Sequence, residues 1–384
     1  MNKAALFLAL ILALVLALAG CEQPEEVIPP SGKKIRIGVL GPMTGLYSNQ
    51  GKSGLEGIKA ALKLYPRLKN GDELVIFSAD DGNQPKRAVQ ALHKLVEKDK
   101  VVAVLDFSNS ASVLAMEPHA NRLKVPLIVI QATHPDIASH DEFVVQLCFD
   151  DIFQGTVAAL FVRDELLIDR VAEVYNPNNP YSTRLANEFR QKFVATGGNV
   201  IEIFSYDDQN DDLSLIMESL RTKGIQLLYM PIKAKCFIDF IDAARRIGWH
   251  PRMMGADGLL PTIIEKYPRD LRHLEGLIAT DFFSDRINRS EKIRRWREVY
   301  VSLFHHSPSP FSALGAEAYA VLCNAMNRCT RPSHPVEINS KLHQTTDFEG
   351  LAGKLSISRQ GKTARPLIVN TIEDGHIRFI VQVY

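Results

Sequence analysis

Residues 34–64 read KIRIGVLGPMTGLYSNQGKSGLEGIKAALKL. The run Ile35 to Leu40 is short, rich in branched apolar residues and stopped by Gly41-Pro42, which describes a strand rather than a helix. From Gly54 to Leu64 the apolar residues recur at helical spacing, so one strand, one glycine-bearing loop and one helix follow each other within 31 residues. Working outward, the unit repeats: Leu74 to Ala79 precedes Lys86 to Val96, Val101 to Leu105 precedes Ser110 to Leu123, and Leu127 to Ile130 follows. Strands alternating with helices call for parallel βαβ units with the strands buried on both faces. A second series starts after Gln146, with helix 153–166, strand 171–175, helix 182–195, strand 200–204, helix 213–222, strand 226–231 and helix 236–247. Helices at 290–304 and 312–328 come next, then strands marked by Gly361 and Asp374-Gly375. The fold class is α/β, with two Rossmann-like doubly wound domains in succession.

Several chemistries are suggested by these stretches and excluded by their spacing. The loop ending Gly51-Lys52-Ser53 has the setting of a phosphate-binding loop. However, five residues separate Gly45 from Gly51 where that motif allows four, and the extra residue misplaces the N–H groups. No GxSxG pentapeptide provides a nucleophile elbow. His134, His140 and His305-His306 lack metal-ligand spacing. The acid pairs Asp80-Asp81, Asp150-Asp151, Asp207-Asp208 and Asp211-Asp212 stand at strand ends or before helices, where capping and solvation explain them. Neither an enzyme, a cofactor nor a metal is expected.

Within the 384 residues, one positive charge at Lys3 precedes sixteen uncharged residues, Ala4 to Ala19. That stretch is too short for a comfortable span and reads as a signal peptide over 1–20. Leu18-Ala19-Gly20-Cys21 resembles the bacterial lipobox, which implies export, lipidation at Cys21 and anchoring to a membrane on its periplasmic or extracellular face. Residues 21–33, acidic and proline-bearing, make a flexible lipidated stalk. The 364 residues that remain suffice for two domains. With 45 basic against 44 acidic residues, nothing argues for nucleic acid as a partner. Cys148, Cys236, Cys323 and Cys329 are an even set whose pairing the spacing leaves open; Cys323 and Cys329 can bridge only if their helix ends between them. All four are taken as structural or free.

In open α/β sheets ligands collect beyond the carboxyl ends of the strands, where helix N-termini point their N–H groups outward. Ser110 opens a helix there and offers an N–H and a hydroxyl to a carboxylate. Ala132-Thr133 follows a strand and supplies a carbonyl, an N–H and a hydroxyl. Tyr181 places a ring at the mouth of the second domain, and Asp257, within Gly255-Ala256-Asp257-Gly258, offers a negative charge to an ammonium.

Together with Gly41-Pro42-Met43-Thr44-Gly45, the stretch Asp80 to Val89, Asn178 to Tyr181 and Asp212-Leu213-Ser214, these positions resemble the type I periplasmic solute-binding proteins of the branched-chain amino acid and amide class. The resemblance covers essentially the whole chain after the leader. It implies two lobes joined by a three-segment hinge, here 34–150 plus 281–355 and 151–280 plus 356–384, closing on a small molecule and serving the membrane permease of an ABC importer. It also implies carboxylate binding by Ser110 and Thr133, a carbonyl acceptor at Ala132, ammonium binding by Asp257 and a closing contact from Tyr181. Lys233 and Gln50 depart from the pattern and argue against a purely aliphatic pocket. A Lys233 facing the cleft would need an acidic ligand or Asp257 to compensate its charge; otherwise it faces solvent. Phe282 and Phe283 are expected in the core.

The leading expectation is a lipid-tethered receptor for an amino-acid-like, amide or carboxylate solute. The alternatives are a lipoprotein of the same fold that activates a protein partner such as a cell-wall synthase, and a ligand-sensing subunit.

Overall fold

The computed structural model describes residues 32–139, 142–206, 213–266, 271–284, 290–351 and 353–384. Cys21, the leader, the stalk up to residue 31, His140, Asp207-Asp208 and Asp211-Asp212 lie outside the described residues.

The opening stretch folds as read. β1 (Lys34–Gly41) leads to α1 (Ser48–Leu64), which begins a turn and a half earlier than its apolar period suggests. β2 (Glu73–Asp80), α2 (Pro85–His93), β3 (Val104–Asp106), α3 (Ser110–Leu123), β4 (Leu127–Val129) and β5 (Val144–Gln146) complete the first lobe's sheet. Its strands are parallel in the order β2-β1-β3-β4-β5. β1 therefore has neighbours on both sides, which is why Ile35, Ile37, Val39 and Leu40 form a nearly continuous buried run. Chain order reverses between β1 and β3, and the crevice beyond those strand ends is where such sheets take ligands.

The second lobe repeats the plan. It comprises α4 (Asp151–Leu160), β6 (Arg170–Tyr175), α5 (Pro180–Ala195), β7 (Asn199–Ser205), α6 (Leu213–Thr222), β8 (Leu227–Tyr229), α7 (Ala234–Arg246), β9 (Arg252–Gly255), α8 (Leu259–Lys266) and β10 (Ile278–Asp281). Three helices return to the first lobe: α9 (Glu291–Phe304), α10 (Pro310–Met326) and α11 (Pro335–Leu342). A small antiparallel sheet of β11 (Phe348–Glu349), β12 (Lys354–Ile357) and β13 (Thr363–Ala364) follows. β14 (Leu367–Glu373) and β15 (His376–Val383) then close the second sheet in the order β15-β14-β10-β9-β8-β6-β7, with β14 and β15 antiparallel on one edge.

The chain passes between the sheets after β5, after β10 and after β13, and these passages pack on one another. Phe149 from the first stacks on Phe282 from the second, with ring centroids 4.5 Å apart. Arg365 in the third donates to the Leu147 carbonyl at 3.1 Å and pairs with the buried Glu317 at 2.8 Å. The division placed at 355/356 would cut through β12. Gln146 donates its N–H to the Gly361 carbonyl at 2.8 Å, which keeps 358–364 with the first sheet, and Asp281 ends β10 in the second. α1 and α10 cross in near-backbone contact: a Cβ on Gly57 would overlap the Ser312 carbonyl, and one on Gly315 would overlap that of Gly54. Cys148, Cys236, Cys323 and Cys329 are all free thiols, although α10 does end at Met326 between the last two.

Candidate functional site

The first lobe supplies donors. Asn109 caps α3 by accepting the Ser112 N–H at 2.8 Å, which leaves the first two helical N–H groups, those of Ser110 and Ala111, without an acceptor among the described residues. A helix start of this kind carries partial positive charge and suits an anion. Thr133 follows β4, is buried, and likewise has a free N–H. Its hydroxyl lies beside the Asp151 carboxyl, whose charged form it favours, but outside strict hydrogen-bond geometry.

Ala132 corrects an expectation. Its carbonyl accepts from Gln146 Nε2 at 2.8 Å and from the Cys148 thiol at 3.0 Å, so both lone pairs are spent inside the first lobe and none is left for a ligand ammonium.

The second lobe supplies the carboxylate. Asp257 follows β9, and its Oδ1 accepts from the Tyr181 hydroxyl at 2.7 Å and from Gln154 Nε2 at 2.8 Å. Its Oδ2 has no partner among the described residues. Burial raises the carboxyl above its ordinary range, against the pull of the Tyr181 and Gln154 hydrogen bonds. Tyr181 is held at the start of α5 by Asn179, whose side chain accepts the Tyr181 N–H at 3.1 Å. A second acid lies close by. Asp151 is wholly buried rather than solvated, and desolvation, reinforced by the Asp257 and Asp150 charges, holds its carboxyl well above the usual range. Asp150 is the helix cap expected of it, accepting the Phe153 N–H at 3.0 Å.

Ser110, Ala111 and Thr133 from the first lobe and Tyr181 and Asp257 from the second face one cavity of about 510 Å³, within the range of small-molecule sites. Ser110, Ala132, Thr133, Tyr181, Asp257, Lys233 and Gln50 all line it. Lys233, half-buried, stands on the wall as the residue before α7, so it is not turned to solvent alone. Gln50 Oε1 accepts from Gln131 Nε2 at 3.1 Å, and Gln131 Nε2 also donates to the Phe107 carbonyl at 2.6 Å. Phe282 is buried as expected and still forms part of the lining. Tyr47, Asn109, Gln131 and Phe311 also contribute to the wall, and Gln154 lies behind Asp257; the sequence reading missed all five. Asn109 carried a usable signal, a capping residue directly before the expected helix start. The other four carry no local motif, because chain segments far apart in sequence bring them together.

Among the described residues no cluster of three metal-ligating side chains occurs and no helix is long and apolar enough to cross a membrane.

The family model described as "Periplasmic binding protein" matches residues 34–376. An amino acid binding protein of Pseudomonas aeruginosa is 23% identical over 247 residues, covering 64% of this chain and 66% of that protein. The chain spans 49% of the length of the Leu/Ile/Val-binding protein homolog 6 of Brucella abortus. Among solved structures, the leucine binding protein LivK of Thermotoga maritima superposes with a TM-score of 0.82 at 27% identity, covering 91% of this chain and 98% of that one. The branched-chain amino acid transporter substrate binding protein LivJ of Streptococcus pneumoniae, in complex with isoleucine, gives 0.82 at 20% identity, covering 91% and 99%.

Proposed function

The chain belongs to the periplasmic binding protein family, a family of solute receptors rather than enzymes, and from that premise we propose that it captures an amino-acid-like solute between its two lobes for an ABC importer. One observation carries this reading: free N–H groups from one sheet and an unpartnered carboxylate oxygen from the other converge on the same cavity. The ligand's carboxylate lies on the N–H groups of Ser110, Ala111 and Thr133 and on the hydroxyls of Ser110 and Thr133. Its ammonium meets Asp257 Oδ2, and Tyr181 covers it from the second lobe. Lys233, Gln50 and Gln131 face the remainder of the ligand, which favours a polar or acidic side chain over a purely aliphatic one. Because the ligand bridges both lobes only when they are together, binding shifts the population toward the closed form that the permease reads. A lipid on Cys21 tethers the receptor to the periplasmic or extracellular face of a membrane.

Thermal unfolding of the purified protein against L-amino acids, amides, dicarboxylates and aromatic acids tests the proposal. A ligand at about 100 times its Kd adds about 2.7 kcal/mol of stability. Stabilisation by an α-amino acid supports the reading. Stabilisation by aromatic acids alone would move the ligand class, and a panel without effect would favour the protein-interaction alternative.

A further inference from the structure

Gln154 is wholly buried on the first helix after the passage from lobe to lobe, and the three hydrogen bonds of its side-chain amide all go to the ends of two strands in the second sheet. Nε2 donates to Asp257 Oδ1 at 2.8 Å, while Oε1 accepts from the Asp257 N–H at 3.1 Å and from the Thr280 hydroxyl at 2.6 Å. This fixes the orientation of the amide. Turned over, it would set oxygen against the carboxylate and nitrogen against an N–H. The residue thus grips Asp257 by both main chain and side chain. One turn earlier on the same helix, the Asp151 N–H donates to the Thr133 carbonyl at 2.8 Å. Thr133 is the residue whose own N–H and hydroxyl face the cavity. Between the two halves of the site run two hydrogen-bonded contacts and three helical residues, a rise of about 4.5 Å.

We propose that Gln154 is a positioning residue that aims Asp257 at the ligand's ammonium and, through the turn it shares with Asp151, sets the span between the ammonium and carboxylate half-sites so that the cleft selects α-amino acids. This rests on the amino-acid reading of the cavity. A helical turn suits the task because it does not stretch, and neither half-site alone contains the other's reference point.

The test uses Gln154→Met, which keeps the length and removes all three hydrogen bonds, and Thr280→Val, which removes only the hydroxyl that donates to Gln154. Calorimetric titrations employ L-glutamate, its β-amino isomer and glutarate, the same skeleton without the amine. Carbon-13 NMR follows the titration of the Asp257 carboxyl in the unliganded protein. The expected result for Gln154→Met is a loss of about tenfold to a hundredfold for L-glutamate, little change for glutarate and a narrower preference for the α over the β isomer. The Asp257 titration moves upward, since its charged form loses a donor. Thr280→Val moves each quantity the same way by less, and it carries the test if Gln154→Met fails to fold. Equal losses for L-glutamate and glutarate, or an unmoved Asp257 titration, would overturn the proposal. Should the unaltered protein bind none of the three compounds, the amino-acid reading fails separately, and the Asp257 titration, which needs no ligand, still decides the role of Gln154.

Discussion

Replacing Asp257 by asparagine changes one atom, and the geometry around it makes the consequence calculable. Oδ1 already accepts from Tyr181 at 2.7 Å and Gln154 at 2.8 Å, so asparagine keeps its oxygen there and presents its NH2 where Oδ2 faced the cavity. In the empty protein this relieves a buried carboxyl of its desolvation, and the melting temperature is expected to hold or rise. With an amino acid bound, the ammonium loses its counter-charge and faces a donor. Removing one partner of a buried ion pair costs about 3–5 kcal/mol, or roughly two to three and a half orders of magnitude in affinity at about 1.4 kcal/mol per tenfold. The pH response supplies an independent check. Burial raises the Asp257 pKa, so the carboxylate that binds ammonium is present above that raised value and is lost as pH falls through it. Affinity of the unaltered protein for L-amino acids should therefore weaken toward acid pH, and Asp257→Asn should lack that limb. Calorimetry from pH 4 to 8 with an amino acid and its deaminated analogue reads both effects. If Asp257→Asn binds the amino acid within about threefold of the unaltered protein, the ammonium does not sit on Asp257 and the orientation of the ligand is wrong.

Ser110→Ala and Thr133→Val each remove a hydroxyl from the carboxylate half-site, and each should weaken amino acids and simple carboxylic acids alike by about fivefold to thirtyfold, measured by the same titrations. Burial raises Asp106 to about 8, with Ser108 hydrogen bonds opposing and the Asp81 charge adding to it; burial likewise raises Glu173 and Asp281 to about 7. Acids whose folded pKa is raised contribute stability below their unfolded value, near 4, and lose it as pH rises through the folded value. The urea midpoint of the empty protein is thus expected to fall between pH 5 and 8, and Asp106→Asn to flatten that slope. Glu317→Gln breaks the buried pair with Arg365 that ties the third passage to α10. It should cost about 3–5 kcal/mol in chemical denaturation, whereas a change below about 1 kcal/mol would show the pair to be dispensable. Gly57→Ala, whose Cβ would overlap the Ser312 carbonyl, should force α1 and α10 apart and lower the melting temperature without touching a cavity residue.

Much of the fold was legible because its signals are local. A buried parallel strand must be a short apolar run, and a helix packed on it must show a 3.6-residue period, so β1, α1 and α3 could be placed from their own residues. β5 and α11 were missed for the opposite reason. Val144–Gln146 is three residues long and becomes a strand only because β4 offers it an edge, and Pro335–Leu342 is too short to show its period. The site divides in the same way. Ser110 and Thr133 follow strand ends, a place the chain announces, and Asp257 follows β9 in the same manner. The same logic makes the Ala132 carbonyl available, yet Gln146 and Cys148 fill it, because β5 runs parallel beside β4 and brings its end alongside.

The sequence by itself therefore determined two successive doubly wound domains and the positions where helix starts and strand ends would gather, since each depends on residues within one or two turns of each other. Tertiary structure alone decided that Lys233 and Gln50 share the cavity wall, that Ala132 is spent, and that Gln154 holds Asp257. Gln154 and Asp257 are 103 residues apart and come within 2.8 Å only because α4 packs beneath the ends of β9 and β10. An interior glutamine in a helix has no spacing, charge or period that marks it, and its role is created entirely by the groups that folding places opposite its amide.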